Sequence, residues 1–454
     1  MTTEYALRLR NLIPGGAHTY SRGDDQYPSN APAILERGKD AYVWDADGKK
    51  YLDYGMALRA VTLGYANDRV NKAAFAEMEK GVNLTRASTV ELHAAEVITD
   101  LIPGADMVKF AKNGSNVTTA AIKIARAYTG RKYVCVPRQQ PFFSFDDWFI
   151  GTTPMKKGIP EEHYSTTLVF DYNNIASLQA CFDAHPGQIA AVILEPATTL
   201  MPCESGICPA ARTTNITCKE YDHAKPNFLQ QVQALCNKDG AVFIIDEMIT
   251  GFRWHLNGAQ TYFDVQPDLS TFGKGMANGF AVAALVGKKE LMSLGGIHEG
   301  GNERTFLVST THGAEMSGMG AFIETVRIYQ EENVIDHLWK YGAKLFNGIN
   351  DISTSLGLAD HFYMDGGYVS MNYMTKDADG KISMPYRTLF AQEMIKQGVL
   401  IPWIAPSFAH GQTELEHTLK AVEQSLIIYK KALSEGIENY LVGPAVKPVF
   451  RQFN

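Results

Sequence analysis

Two short stretches of this chain carry residue types and surroundings suited to covalent chemistry. The first is LSTFGKGMANG, Leu269 to Gly279, in which Lys274 stands between two glycines and ahead of the small apolar run Ala281 to Val286. Small neighbours suit a lysine that reaches inward. The second is AVFIIDEMITGFR, which places Asp246 and Glu247 at the carboxyl end of a strongly apolar run. A lysine amine forms a Schiff base with an aldehyde, and a buried carboxylate keeps a heterocyclic nitrogen protonated, so that the ring takes up electrons. Asp246 precedes Lys274 by about one strand-helix unit, which puts both on one edge of an α/β sheet. Plainer readings exist for each: a loop lysine, and two acids capping a strand or paired with Arg253. Two phosphate-loop readings fail. A P-loop needs Ser or Thr after its lysine, where this chain has Gly275, and GKGMANG is one residue off the dinucleotide fingerprint.

The elements that must position these residues are visible as apolar runs. KYVCV, TTLVF, IAAVILE, AVFIID and AVAALVG read as buried strands. Between them lie amphipathic stretches such as Asn116 to Gly130 and Asn227 to Gly240, each ending in glycine as helices often do. This alternation predicts an α/β sheet with helices on both faces, whose ligands bind beyond the carboxyl ends of the strands. AYVWDADGKKYLDYG predicts a β-hairpin turning at Asp47-Gly48. From about Glu315 the chain reads as helical and then mixed, and TELEHTLKAVEQSLIIYKKAL predicts a last helix with a Thr413-x-x-Glu416 capping box. The expected organisation is therefore an N-terminal segment of a small domain over 1–60, a large α/β domain over 61–314, and the rest of the small domain over 315–454.

Composition narrows the function. A length of 454 residues calls for more than one core, and a net charge of -7 leaves no electrostatic footprint for nucleic acid or anionic membrane. No apolar run approaches the roughly 20 residues of a membrane-spanning helix, and MTTEYALRLRNLIPGG lacks the apolar core of a secretory signal. Six cysteines in so long a chain are no disulfide framework, which points to a reducing cytoplasm. Cys203, Cys208 and Cys218 cluster, but without the paired spacing of a structural zinc site, so no metal is expected.

FIIDEMITGFR together with PDLSTFGKGMANGFAVAALVG resembles the class III, fold-type I enzymes that use pyridoxal 5'-phosphate (PLP), in particular their glutamate-1-semialdehyde aminomutase-like branch. The resemblance runs from IPGGAHTYSRG to HGQTELEHTL, nearly the whole chain. It implies a mainly parallel seven-stranded sheet in a large domain, a smaller α+β domain from both termini, and a homodimer with shared active sites. It makes Lys274 the Schiff-base lysine and Asp246 the partner of the pyridine nitrogen. KNGSNVTTAAIKIAR matches the helix start that holds the cofactor phosphate, here Gly114, Ser115 and Asn116, where N–H groups and the helix dipole favour an anion; the plain alternative is an ordinary N-cap. Thr311, with Thr310 second, matches the threonine that reaches the other subunit's phosphate. Phe142 fits the aromatic stacked on the cofactor ring, although Phe143-Ser144 replaces the usual His-Gly and an aromatic run is also what core looks like. Glu195, in AVILEP, matches a glutamate of the active-site network.

Two arginines are candidates for substrate. Arg22 matches the arginine that receives the substrate carboxylate in the aminomutases, a role suited to a planar fork. Arg59, in YGMALRAVTLGY, stands where the family has a small residue; it reads an anionic or hydroxyl-rich substrate, or forms a salt bridge. The aminomutase acid near the C-terminal edge of the site has no counterpart in LIPWIAPSFAHG, and the asparagine expected after the Glu-Pro pair is missing. An insertion, Met201 to about Pro226, contains Glu204 and three cysteines and is expected near the substrate entrance. The implied reaction is intermolecular amino transfer from a donor to a small or sugar-like aldehyde or ketone. Intramolecular 1,2-aminomutation, decarboxylation and racemisation are the alternatives on the same scaffold, and a non-catalytic binding protein is opposed by the intact Asp246 and Lys274.

Overall fold

The computed structural model describes residues 2–197, 200–203, 226–298, 301 and 303–453. Glu204, Cys208 and Cys218 of the insertion lie outside them. The chain divides into two compact units, Met1–Asn67 with Asp336–Arg451, and Asp68–Ile335 with the last three residues. The sequence alone suggests divisions at 60/61 and 314/315.

In chain order, β1 (Leu35–Lys39), β2 (Tyr42–Asp45) and β3 (Lys50–Asp53) open the first unit. β2 and β3 form the expected hairpin, with Gly48 at φ 80° in its turn, a region open to glycine without steric cost. The second unit then supplies β4 (Met107–Ala111), β5 (Tyr133–Pro137), β6 (Thr167–Phe170), β7 (Ile189–Leu194), β8 (Val242–Glu247), β9 (Leu269–Phe272) and β10 (Ala283–Gly287). These seven form one sheet in the order β4-β10-β9-β8-β7-β5-β6, parallel except for β10, which runs antiparallel to both of its neighbours. The expected mainly parallel seven-stranded sheet is thus present. β7 and β8 are buried along their whole length, as parallel strands covered on both faces must be. The helix Gly114–Thr129 packs its apolar side, including Val117, Ala121 and Ile124, into the core with Val134, Ile193 and Ile244.

The first unit is completed by β11 (Phe362–Gly367) and β12 (Ser370–Thr375), an antiparallel pair, and by β13 (Val399–Leu400), which adds in parallel to β3. Its core joins Leu52 and Tyr54 to Leu389, Phe390 and Met394 and to Val422, Leu426 and Tyr429 of the long helix Gln412–Glu435. That helix begins two residues earlier than its sequence suggests. Gly411 is the cap, and its N–H donates to Glu414 at 2.9 Å, rather than a Thr413–Glu416 box.

One local feature of the first unit departs from ordinary backbone. Met56, Ala57, Leu58 and Arg59 have φ of 41°, 48°, 62° and 69°, a full left-handed turn without glycine. L-residues disfavour this conformation by roughly 1–2 kcal/mol each. Such a turn persists only where its surroundings over-determine it.

Candidate active site

In the Asp68–Ile335 unit the candidate residues converge on the carboxyl ends of the parallel strands. Asp246 lies near the end of β8, opposite Thr271 of β9 in register. Its Oδ1 accepts from the Thr271 hydroxyl at 3.0 Å and from the Met248 N–H at 2.9 Å. The carboxyl is 2 % exposed, and burial pushes its pKa up to about 6 despite the nearby Lys274 ammonium, which pulls it down with those hydrogen bonds. Glu247, on the opposite face of β8, is raised to about 7, again by burial. It accepts from Thr250 and from the Gln260 N–H at 2.7 Å, which fixes the following loop.

Lys274 follows β9 and opens a 3-10 turn, Lys274–Ala277, with its own φ at 43°. The flanking glycine has a packing reason. A Cβ on Gly273 would come 2.6 Å from the Met248 sulfur, and one on Gly114 would come 2.9 Å from the same atom. Met248 therefore wedges between the lysine turn and the start of the helix Gly114–Thr129. On the far side the Tyr329 hydroxyl donates to the Gly275 carbonyl and pins the turn.

The helix Gly114–Thr129 is capped by Asn113, whose side chain accepts from the Asn116 N–H at 3.1 Å. This assigns the donors more finely than the sequence could. The Asn116 N–H serves the cap, while Gly114 and Ser115 carry the first-turn N–H groups that lack intrahelical partners. Ser115 is buried, and its Oγ accepts from the Phe145 N–H at 3.0 Å, which ties the Phe142 loop to the helix start. Phe142 is 45 % exposed, whereas Phe143 is core. Glu195 follows β7 and is buried. Its main chain is gripped by the Gln140 amide, which donates to the Glu195 carbonyl at 2.6 Å and accepts from its N–H at 2.7 Å.

Thr310 and Thr311 lie on an exposed turn. Two contacts hold that turn to its own unit: His312 bonds to Asn83 at 2.8 Å, and Glu315 pairs with Lys112 at 2.8 Å, directly before the Asn113 cap. Arg22 and Arg59 belong to the other unit. Arg22 ends a 3-10 turn and is exposed, and Arg59 ends the left-handed turn and is partly exposed.

Sequence reasoning missed Thr271, Gln140, Asn113, Met248 and Tyr329. Only Asn113 carried a readable signal, as an N-cap residue type ahead of a helical pattern. The others act through contacts distant in sequence.

The class III aminotransferase family model matches residues 24–404. The chain belongs to that family. It is 30 % identical over 429 residues to the 3-aminobutyryl-CoA aminotransferase of Cloacimonas acidaminovorans, covering 93 % of this chain and 96 % of the relative. It is 28 % identical to a glutamate-1-semialdehyde 2,1-aminomutase of Alkaliphilus oremlandii, covering 93 % and 97 %. The PLP-bound FumI protein of Sphingopyxis sp. MTA144 shares the fold at a TM-score of 0.82 and 26 % identity, covering 96 % and 97 %. The fold is fold-type I, the cofactor is PLP, and the protein is an aminotransferase-family enzyme.

The residues present fit that cofactor. PLP needs a lysine amine, a carboxylate for its ring nitrogen, donors for a phosphate and an aromatic face. Lys274 and buried Asp246 lie on adjacent strand ends, Gly114 and Ser115 begin a helix beside them, and Phe142 leaves its ring partly open.

Proposed function

We propose that this protein moves an amino group between separate donor and acceptor molecules, with a small or sugar-like aldehyde or ketone as acceptor. The observation that carries this reading is the pairing of Asp246 and Lys274 on neighbouring parallel strand ends, with the lysine's charge felt by the buried carboxyl. The Asp68–Ile335 unit would hold the cofactor: Gly114 and Ser115 donate to its phosphate with Asn116 ordering the helix start, Phe142 covers the ring, and Glu195 completes the hydrogen-bond network. Bound PLP supplies an aldehyde for the amine and an electron-withdrawing ring. Lys274 Nζ would take the proton from the substrate carbon bearing the amino group and return it to the cofactor's aldehyde carbon on the other side of the nitrogen, as general base and then acid. Asp246 accepts the hydrogen bond of the protonated ring nitrogen, and Thr271 and the Met248 N–H keep its carboxylate aimed. Arg22 and Arg59 are assigned to the substrate.

A relative that acts as an aminotransferase at 30 % identity supports the intermolecular reading, as does the missing aminomutase acid. The aminomutase relatives keep the intramolecular reading as the second one. A donor screen separates them. Incubating holoenzyme with amino donors and no acceptor should convert at most one equivalent of donor per site, and adding an aldehyde or ketone panel should restore turnover. Sustained conversion of a single aminoaldehyde without any acceptor would favour the aminomutase.

The same reading makes the protein a homodimer in which Thr311 completes the phosphate site of the partner subunit. Exposed Phe75, Met78, Val82, Leu84 and Leu92 support it, because Val82 is joined through its carbonyl to Met316, close after the Thr311 turn. Several apolar side chains left exposed within one stretch of chain suit a contact surface. Light scattering should give twice the mass of one chain, and Thr311→Ala should weaken PLP retention; a monomer that holds PLP tightly would contradict it. No described helix is long and apolar enough to cross a membrane. Among the described residues Cys135, Cys181 and Cys236 form no disulfide, which supports a reducing cytoplasm, testable by fractionation of the source cells.

A further inference from the structure

The left-handed turn Met56–Arg59 has a dedicated clamp. Asp53 Oδ1 accepts from the Gly55 N–H at 2.7 Å, and Oδ2 accepts from the Met56 N–H at 3.1 Å. The Tyr65 hydroxyl donates to the same Oδ2 at 2.6 Å and accepts from the Ala57 N–H at 2.9 Å. Three successive backbone N–H groups are thus bound to one carboxylate and one phenol. The Trp403 indole N–H holds the Gly55 carbonyl at 3.0 Å, and the Met56 side chain is buried against Val61 and Ala405. A right-handed or extended connection would need none of this. Instead the chain keeps Asp53 fully inside, where burial pushes its carboxyl up, to maintain a conformation L-residues disfavour.

What the turn delivers is Arg59, its last residue, partly exposed. Arg22, the second candidate arginine, belongs to the same unit, where its charge offsets part of the burial that pushes the Tyr27 and Tyr65 hydroxyls up. A guanidinium at the end of one rigid turn suits a carboxylate, since an arginine fork held in place loses little freedom when it binds bidentately.

We propose that Asp53 and Tyr65 are positioning residues that lock Met56–Arg59 left-handed and so fix Arg59 as a receptor for a substrate carboxylate. The proposal deepens the aminotransferase reading by naming what Arg59 recognises, but its test needs no turnover. Malonate is the probe, added to PLP-loaded protein so that the phosphate site is already filled, with sodium chloride at matched ionic strength as control. Malonate should raise the Tm of the wild type by mass action. Arg59→Gln and Tyr65→Phe should each raise the half-saturating malonate concentration about tenfold or more, the loss expected for one charge-assisted bidentate contact. Arg59→Lys should fall between. Asp53→Asn should match Tyr65→Phe if it folds, and Tyr65→Phe carries the test if it does not. A merely structural clamp would lower the Tm of Tyr65→Phe without malonate and leave its malonate response as in the wild type; that result overturns the proposal. So does a wild type that ignores malonate, or an Arg59→Gln variant that responds fully. Absence of amino transfer with an intact malonate response would instead sink the aminotransferase reading alone.

Discussion

Lys274→Ala should leave a folded protein that still takes up PLP but transfers amino groups about 10⁴-fold more slowly or worse, the upper range for loss of a positioned acid–base group. The expectation follows from where the residue sits. The turn that carries Lys274 is held by its neighbours: Tyr329 bonds to the Gly275 carbonyl, and Met248 packs against Gly273 and Gly114. Removing the side chain leaves these contacts in place. It also takes a positive charge away from Asp246, whose carboxyl should then rise further. Single-turnover conversion of the PLP form by a donor amine is the measurement, with PLP content read from absorbance. A Lys274→Ala variant within tenfold of the wild type would mean that another base moves the proton.

Asp246→Asn should cost on the order of 10²–10³-fold in the same assay, comparable to removing one preorganised partner of developing charge. The amide is nearly isosteric and can still accept from Thr271 and the Met248 N–H through its oxygen, so the strand ends should keep their register. What it cannot do is hold a pyridine nitrogen protonated. The defect should therefore appear in the proton-transfer step and not in PLP uptake. It should also be partly repaired by a PLP analogue whose ring nitrogen carries a permanent positive charge. Equal loss with the analogue and with PLP would show that Asp246 acts on folding alone.

The family of this chain was legible because the motifs that carry the resemblance are contiguous, and the buried strands β5, β7, β8 and β10 because their apolar runs have no other use. β9 was faint for a physical reason. Its LSTF is half polar yet wholly buried, because Ser270 bonds to Gln260 and Thr271 to Asp246. β4, MVKFA, was hidden by its exposed end and by Lys109, as expected of an edge strand. The left-handed turn was illegible altogether. MALR reads locally as helix-forming sequence, and its handedness is set by Asp53, Tyr65 and Trp403, the last more than 340 residues away. Thr271 and Gln140 escaped notice likewise, since each acts on a residue brought near only by strand pairing or by a loop crossing.

The central claim is that Lys274 is the lysine that bonds to the cofactor. Borohydride reduction of the PLP-loaded protein, followed by peptide mass mapping, tests it most directly. The account predicts that reduction removes the yellow absorbance and leaves a pyridoxyl mass on the peptide containing Lys274 and on no other lysine. A pyridoxyl group on a different lysine, or a protein that takes up PLP with no reducible bond, would contradict it.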